Sequence, residues 1–294
     1  MTALTLGLAA CSPIRLLNAT SPSRHYEHTA DVPYGAGARQ RLDVYVPKQL
    51  SGPAPLVVFF YGGGWKEGSK RNYEFVASAL TDAGYVVVIP DYRLYPDVAF
   101  PAFVDDGAAA VAWAAANADR LGADADNLFV MGHSAGAHIA ALLALDERYL
   151  ASHGYRPSEL AGLIGLSGPY DFLPIEGGYL LDVFPEETRA RSQPVNFVTA
   201  AAAPALLIHG TDDTTVRPTN SDSLAQRLRD VDVPVTLKTY DDVGHARVVA
   251  ALAPSFDFLS QTLEDSRSFI ASVVAERTAH TARTGGSSAV DAAD

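Results

Sequence analysis

The chain has 294 residues, 48% of them hydrophobic and 19% charged, with a formal net charge of −12. That size admits one large α/β domain or two small ones, with apolar material for a sizeable core. The negative balance excludes nucleic acid or an anionic membrane surface as partners held by charge, and no apolar run reaches the length of a membrane-spanning helix.

Cys11 is the single cysteine, so no internal disulfide forms. Its context, Leu-Ala-Ala-Cys at 8–11, resembles a bacterial lipobox, in which the cysteine becomes the lipid-modified N-terminus. Residues 1–25 are accordingly read as a lipoprotein signal and linker, which implies export and a lipid anchor at Cys11 on the periplasmic side. Against it, no Lys or Arg precedes Cys11 and the apolar stretch is short; a cytoplasmic chain with a chance cysteine stays open.

From residue 26 onward strand-like and helix-like segments alternate. Residues 41–46 alternate as a strand and 56–60 read as a buried one. Residues 72–83 are amphipathic, with Phe75, Val76, Ala79 and Leu80 on one face and Gly84 as cap. A buried strand over 85–89 precedes a long Ala-rich helix over 101–121, with Pro101 in its first turn and Gly122 after it. A strand over 128–131 runs into a helix over 135–145. Further strands are expected over 163–166, 205–208 and 235–240, a helix over 219–230, and mainly helix over 247–276. Continuous apolar strands separated by helices predict an α/β fold, a mostly parallel central sheet with helices on both faces. One domain over 26–278 is expected, and the small polar residues of 279–294 read as a disordered tail. Residues 171–200 break the rhythm and read as a small cap insertion, with Leu173, Tyr179, Leu180 and Phe184 as candidate pocket walls, or as a surface loop packed on the core.

Four segments at strand ends, where such a sheet places its ligand site, carry candidate chemistry. Gly-His-Ser-Ala-Gly at 132–136 has the G-x-S-x-G form of a nucleophile elbow, in which a sharp strand-to-helix turn presents Ser134. Tyr-Gly-Gly-Gly-Trp at 61–65 follows a strand and exposes backbone N–H groups suited to a developing oxyanion. A phosphate loop is excluded there, because no Gly-Lys-Ser/Thr follows. An acid follows the strand at 205–208, where Asp212 and Asp213 compete, and His245 follows the last strand. Of eight histidines, His133 and His138 flank the elbow in structural roles, and His209 reads as a loop brace. No His/Cys/Asp cluster has metal-ligand spacing, and no cofactor is expected.

These motifs, over about 40–275, resemble the α/β-hydrolase carboxylesterases of the hormone-sensitive-lipase and BD-FAE type, which include the kynurenine formamidases. Asp-Tyr-Arg-Leu at 91–94, Phe100-Pro101, Asp105-Asp106 and Ser-Gly-Pro-Tyr-Asp at 167–171 add to the match, and Gly-His-Ser-Ala-Gly-Ala-His at 132–138 is closest to the formamidase and BD-FAE elbow. The order Ser, Asp, His is also that of the α/β-hydrolase triad. The resemblance implies Ser134 as nucleophile, Asp213 rather than Asp212 as acid, His245 as base, and the N–H groups of Gly63, Gly64 and Ala135 as the oxyanion hole. Tyr61 stands where the family has a His that braces the loop. The implied activity is hydrolysis of small carboxylic esters, with Trp65, Leu173 and Tyr179 near the substrate. N-formylkynurenine hydrolysis is the alternative, weakened by Gly64 in place of the formamidase-type Tyr, and an inactive binding protein on the same fold is a third reading. A cap of about 30 residues predicts a small pocket and a preference for short acyl groups.

Overall fold

The computed structural model describes residues 13–287. Eight strands form one sheet: β1 (Tyr26–Pro33), β2 (Arg41–Pro47), β3 (Ala54–Phe60), β4 (Val86–Pro90), β5 (Ala123–His133), β6 (Gly162–Leu166), β7 (Ala205–Gly210) and β8 (Val235–Tyr240), in the spatial order β1-β2-β4-β3-β5-β6-β7-β8. The pairs β1·β2 and β2·β4 are antiparallel and all others parallel. The helices are α1 (Pro13–Ala19), α2 (Glu74–Asp82), α3 (Ala102–Ala116), α4 (Ala135–Leu145), α5 (Glu147–Ala151), α6 (Leu180–Val183), α7 (Thr219–Arg229), α8 (His245–Ala250) and α9 (Thr262–Ser287).

The apolar runs of β3 and β4 are buried on both faces because helices cover the sheet on each side, and all eleven residues of α4 are buried. This burial fixes the axis of the site: β5 feeds directly into α4 at Ser134, and the C-terminal ends of β3, β7 and β8 lie alongside.

Four expectations change. β1 is a strand that the sequence pattern does not announce, since six of its eight residues are exposed and it lies on the sheet edge. The long helix ends at Ala116 and a separate turn spans Asp119–Leu121. Helix α9 runs through Ser287, so the tail expected from residue 279 is helical that far; residues 288–294 lie outside the described residues. Residues 13–19, read as linker, form α1, with Pro13 at its first position where a missing N–H costs nothing. Asn18 ties α1 down: its Nδ2 donates to the Arg71 carbonyl (2.8 Å) and its Oδ1 accepts from the Phe75 amide (3.1 Å). Cys11 lies outside the described residues. The 171–200 insertion holds α6 and short 3-10 turns and no strand.

Candidate active site

Ser134 sits between β5 and α4 with φ 55° and ψ −123°, a left-handed-side conformation that a non-glycine residue adopts only under constraint. The constraint is close packing. A Cβ on Gly132 would strike the backbone of Gly136, and one on Gly136 would strike the carbonyl of Phe60, so strand and helix approach only with glycine at both places. The Ser134 amide donates to the Leu166 carbonyl (2.9 Å), which anchors the elbow to β6.

The acid and the histidine come from the ends of β7 and β8. His245 Nδ1 lies 2.7 Å from Asp213 Oδ2, while Asp212 is exposed. Asp213 Oδ1 accepts from the amides of Thr215 (2.9 Å) and Val216 (2.8 Å). Burial by itself raises the Asp213 pKa, but hydrogen bonds from His209, His245 and the Val216 amide outweigh it and hold the carboxyl well below the usual carboxylate range. Ser134 and His245 line one cleft, with no hydrogen bond between them.

Two further histidines touch this constellation. His209 is more than a loop brace: the Ser221 hydroxyl lies 2.7 Å from its Nδ1, and its Nε2 faces both the Val216 carbonyl (2.9 Å) and Asp213 Oδ2 (3.2 Å). His133 Nε2 donates to the backbone carbonyl of His245 (3.1 Å), and the two rings stand 4.7 Å apart. Burial, then the neighbouring His245, pushes the His133 pKa down to about 3, so its ring is a neutral prop. Burial likewise takes His138 down to about 4; its Nε2 donates to the Ser192 carbonyl (2.7 Å). A sequence signal for His133 existed in its place beside the serine, but its target, a carbonyl 112 residues away, did not.

The glycine loop lies against the elbow. A Cβ on Gly62 would fall 3.0 Å from Ser134 Cβ. Gly63 (φ 140°) and Gly64 (φ 58°) have positive φ, and no described residue accepts a hydrogen bond from the amides of Gly63, Gly64 or Ala135. Tyr61 braces this loop through its ring and hydroxyl together. Its Oη donates to Asp91 Oδ1 (2.7 Å) and accepts from Arg39 Nη2 (2.8 Å), and its ring stacks on Tyr92 at 4.7 Å. The same Arg39 nitrogen reaches the Gly68 carbonyl (3.1 Å), and the Lys70 amide donates to Asp91 Oδ1 (2.8 Å), so both ends of the loop are tied to one cluster.

Trp65, Leu173, Tyr179 and Leu180 all line the cleft, with the Tyr179 hydroxyl against Gly64 and Lys66 Nζ 4.1 Å above the Tyr179 ring. Phe184 does not: it is fully buried behind Trp65, 4.8 Å away in an edge contact. The cleft is also larger than a cap of this length predicts, at about 1230 Å³. The excess arises because the cap covers only part of it; Leu17 of α1 forms another part of the wall.

The BD-FAE family profile matches residues 42–228. Among curated proteins, esterase LipC of Mycobacterium tuberculosis is 34% identical over 71% of this chain and 57% of its own length. A probable isoprenylcysteine alpha-carbonyl methylesterase of Arabidopsis thaliana is 28% identical over 72% of this chain and 49% of its own. The kynurenine formamidase of Salmo salar is 30% identical over 79% and 80%. The chain thus spans about half to three-fifths of the length of the first two. Among solved structures, esterase B of Lactobacillus rhamnosis superposes with a TM-score of 0.77 at 22% identity, covering 91% of this chain and 92% of that one. A truncated carbohydrate esterase from gut microbiota gives 0.74 at 20% identity, covering 86% and 99%. These structures share the fold, the profile spans well over half of the sequence, and the chain belongs to the BD-FAE family of α/β-hydrolases.

Proposed function

We propose that the protein is a serine hydrolase of carboxylic esters that works through an acyl-enzyme. The observation that carries this reading is the Asp213–His245 contact of 2.7 Å beside a backbone-strained Ser134, in one cleft with unengaged amides. A serine hydroxyl is a poor nucleophile until a base takes its proton. Asp213, kept ionised, accepts His245 Nδ1–H and leaves Nε2 free to act on Ser134; that contact closes when substrate fills the cleft. Negative charge gathers on the carbonyl oxygen as Oγ attacks. The amides of Gly63, Gly64 and Ala135 meet it as fixed dipoles, each worth about 3 kcal/mol in the transition state. His245 then protonates the leaving alcohol, and water repeats the cycle on the acyl-enzyme.

On the cap side the Tyr179 hydroxyl closes on Gly64 with Trp65 beside it, so the acyl group held there is a short one, while the rest of the cleft stays open. A second reading, cleavage of a small formamide such as N-formylkynurenine, is supported by the salmon formamidase, which this chain matches over 80% of its length. A panel of p-nitrophenyl esters assayed beside N-formylkynurenine separates the two: higher kcat/KM on the butyrate ester is expected, and higher kcat/KM on the formamide would replace the ester reading. A fluorophosphonate should label the wild type at Ser134 alone. Export with lipid attachment at Cys11 rests on the 8–11 motif; mass spectrometry of the natively produced protein should find an acylated cysteine as the N-terminal residue, and a free thiol within an uncleaved chain would remove that part.

A further inference from the structure

One wall of the cleft is built by residues outside the proposed bond-breaking chemistry. Leu17 of α1, Tyr73 and Phe75 at the start of α2, and Ala246, Val249 and Ala250 of α8 line it. It is aliphatic and aromatic, and no charged side chain belongs to it. Leu17 is only 8% exposed, held in place by the two hydrogen bonds of its neighbour Asn18.

Its place relative to the reacting atoms follows from contacts already described. Ala246, Val249 and Ala250 lie on the helix that begins with His245. The Tyr73 ring stacks at 5.6 Å on Tyr61, the residue before Gly62; Gly62 lies against the His133 ring, and that ring packs on His245. This wall therefore stands on the His245 side of Ser134. The cap stands on the other side, with the Tyr179 hydroxyl against Gly64 and the Phe172 ring 6.3 Å from Trp65.

In acyl transfer the base that takes the serine proton returns it to the leaving oxygen, so the alcohol departs on the side of the histidine. Resting on the ester-hydrolase reading above, we propose that this wall is a subsite for the hydrocarbon chain of the leaving alcohol, with Leu17 a specificity-determining residue. The substrate class is a short-acyl ester of an apolar aliphatic alcohol. As the Ser134 Oγ–carbon bond forms, the carbon–alkoxy oxygen bond breaks. The proton from Oγ passes through His245 Nε2 to that oxygen, and the free alcohol leaves along the wall.

The test compares two ester series on the full chain. In the first, butyrate esters of methanol, butanol and octanol vary the alcohol; in the second, p-nitrophenyl acetate, butyrate and octanoate vary the acyl group. Each methylene packed against the wall contributes up to about fourfold in kcat/KM, so butyl should exceed methyl butyrate on the order of tenfold or more. Leu17→Asp should reduce that butyl-to-methyl ratio at least about fivefold and leave the slope of the acyl series as it was. Leu17→Trp, which keeps the wall apolar but thickens it, should lower the octyl-to-butyl ratio. Leu16→Asp, at a neighbouring residue that is 51% exposed and outside the cleft, should change neither series. A flat alcohol series in the wild type, or a Leu17→Asp effect confined to the acyl series, would overturn the assignment. Failure of the wild type to hydrolyse any ester in either series would instead remove the activity on which it rests.

Discussion

The loops that hold the proposed reacting groups and the walls that surround them are built on opposite terms. Asp213 is met by two histidines and two backbone amides, and the glycine loop is tied at both ends to the Tyr61–Asp91–Arg39 cluster. The walls, by contrast, leave a large apolar side chain partly in water at Leu173, 40% exposed, and α1 is tied down through the two hydrogen bonds of Asn18. Redundant contacts hold reacting atoms to the fractions of an ångström that acyl transfer demands. Sparse contacts let a wall change without disturbing the fold, which is how one scaffold accommodates different esters.

The strongest way to break this contrast is to remove the proposed nucleophile. Ser134→Ala should lower kcat on the order of 10⁴ to 10⁶-fold, measured on p-nitrophenyl butyrate; retained turnover in a clean preparation would place the chemistry elsewhere. Asp213→Asn should cost about 10⁴-fold in kcat by favouring the wrong tautomer of His245. The exposed Asp212, changed to Asn, should stay within about tenfold of wild type, and a reversed ranking of the two would move the acid by one residue.

Acid should reach the buried props before it reaches the walls. His133 and His138 are pushed down to about 3 and about 4 by burial. In the unfolded chain each takes up a proton near the ordinary imidazole value of about 6.5. Between those values the unfolded state binds more protons, so stability is complete above about pH 6.5 and falls as pH drops toward the folded pKa values. The two together should cost about 4 kcal/mol between pH 7 and pH 5. Urea denaturation at the two pH values measures it, and His138→Phe should remove close to half of the difference. Asp213 acts in a lower window: its depressed pKa contributes stability above the ordinary carboxylate range and loses it only as pH falls through about 4 and below.

The brace of the glycine loop comes next. Tyr61→Phe keeps the stacked ring but deletes the hydroxyl that links Asp91 to Arg39. A buried partner left unpaired costs about 1–3 kcal/mol, which thermal or urea unfolding should resolve. A loss below about 0.5 kcal/mol would show that the ring alone carries the brace.

The same contrast decides what was legible in the sequence. Seven of the strands and the elbow could be read because apolar runs, alternating patterns and paired glycines leave marks that local sequence preserves. β1 left none, being an exposed edge strand held by its ladder to β2. The positions of Ser134, Asp213 and His245 at strand ends followed from order and motif, but the partners of His133 and His209 arise from packing between residues far apart in the chain. α1 was hidden by the cysteine before it, which drew residues 1–25 into one targeting segment. An aromatic side chain in an insertion serves equally as wall or as core, and for Phe184 it is full burial among Phe100, Phe103, His138 and Phe172 that decides for the core.

The smallest expected effect lies in the cap. Leu173 lines the cleft yet is 40% exposed, so its side chain leaves little further apolar surface to lose. Surface substitutions away from caps, cavities and buried charges usually fall within about ±0.5 kcal/mol. Leu173→Ser should therefore shift Tm by no more than about 2 °C. Leu142, on α4, is fully buried. Its truncation to Ala removes packed methyl groups and leaves a cavity, at about 2–5 kcal/mol. The pair tests the contrast, because both changes cut a leucine back to a small side chain, one in the cap and one in the core. If Leu173→Ser destabilised the protein as much as Leu142→Ala, the cap would be part of the folding core, and its freedom to vary independently of the reacting loops would be lost.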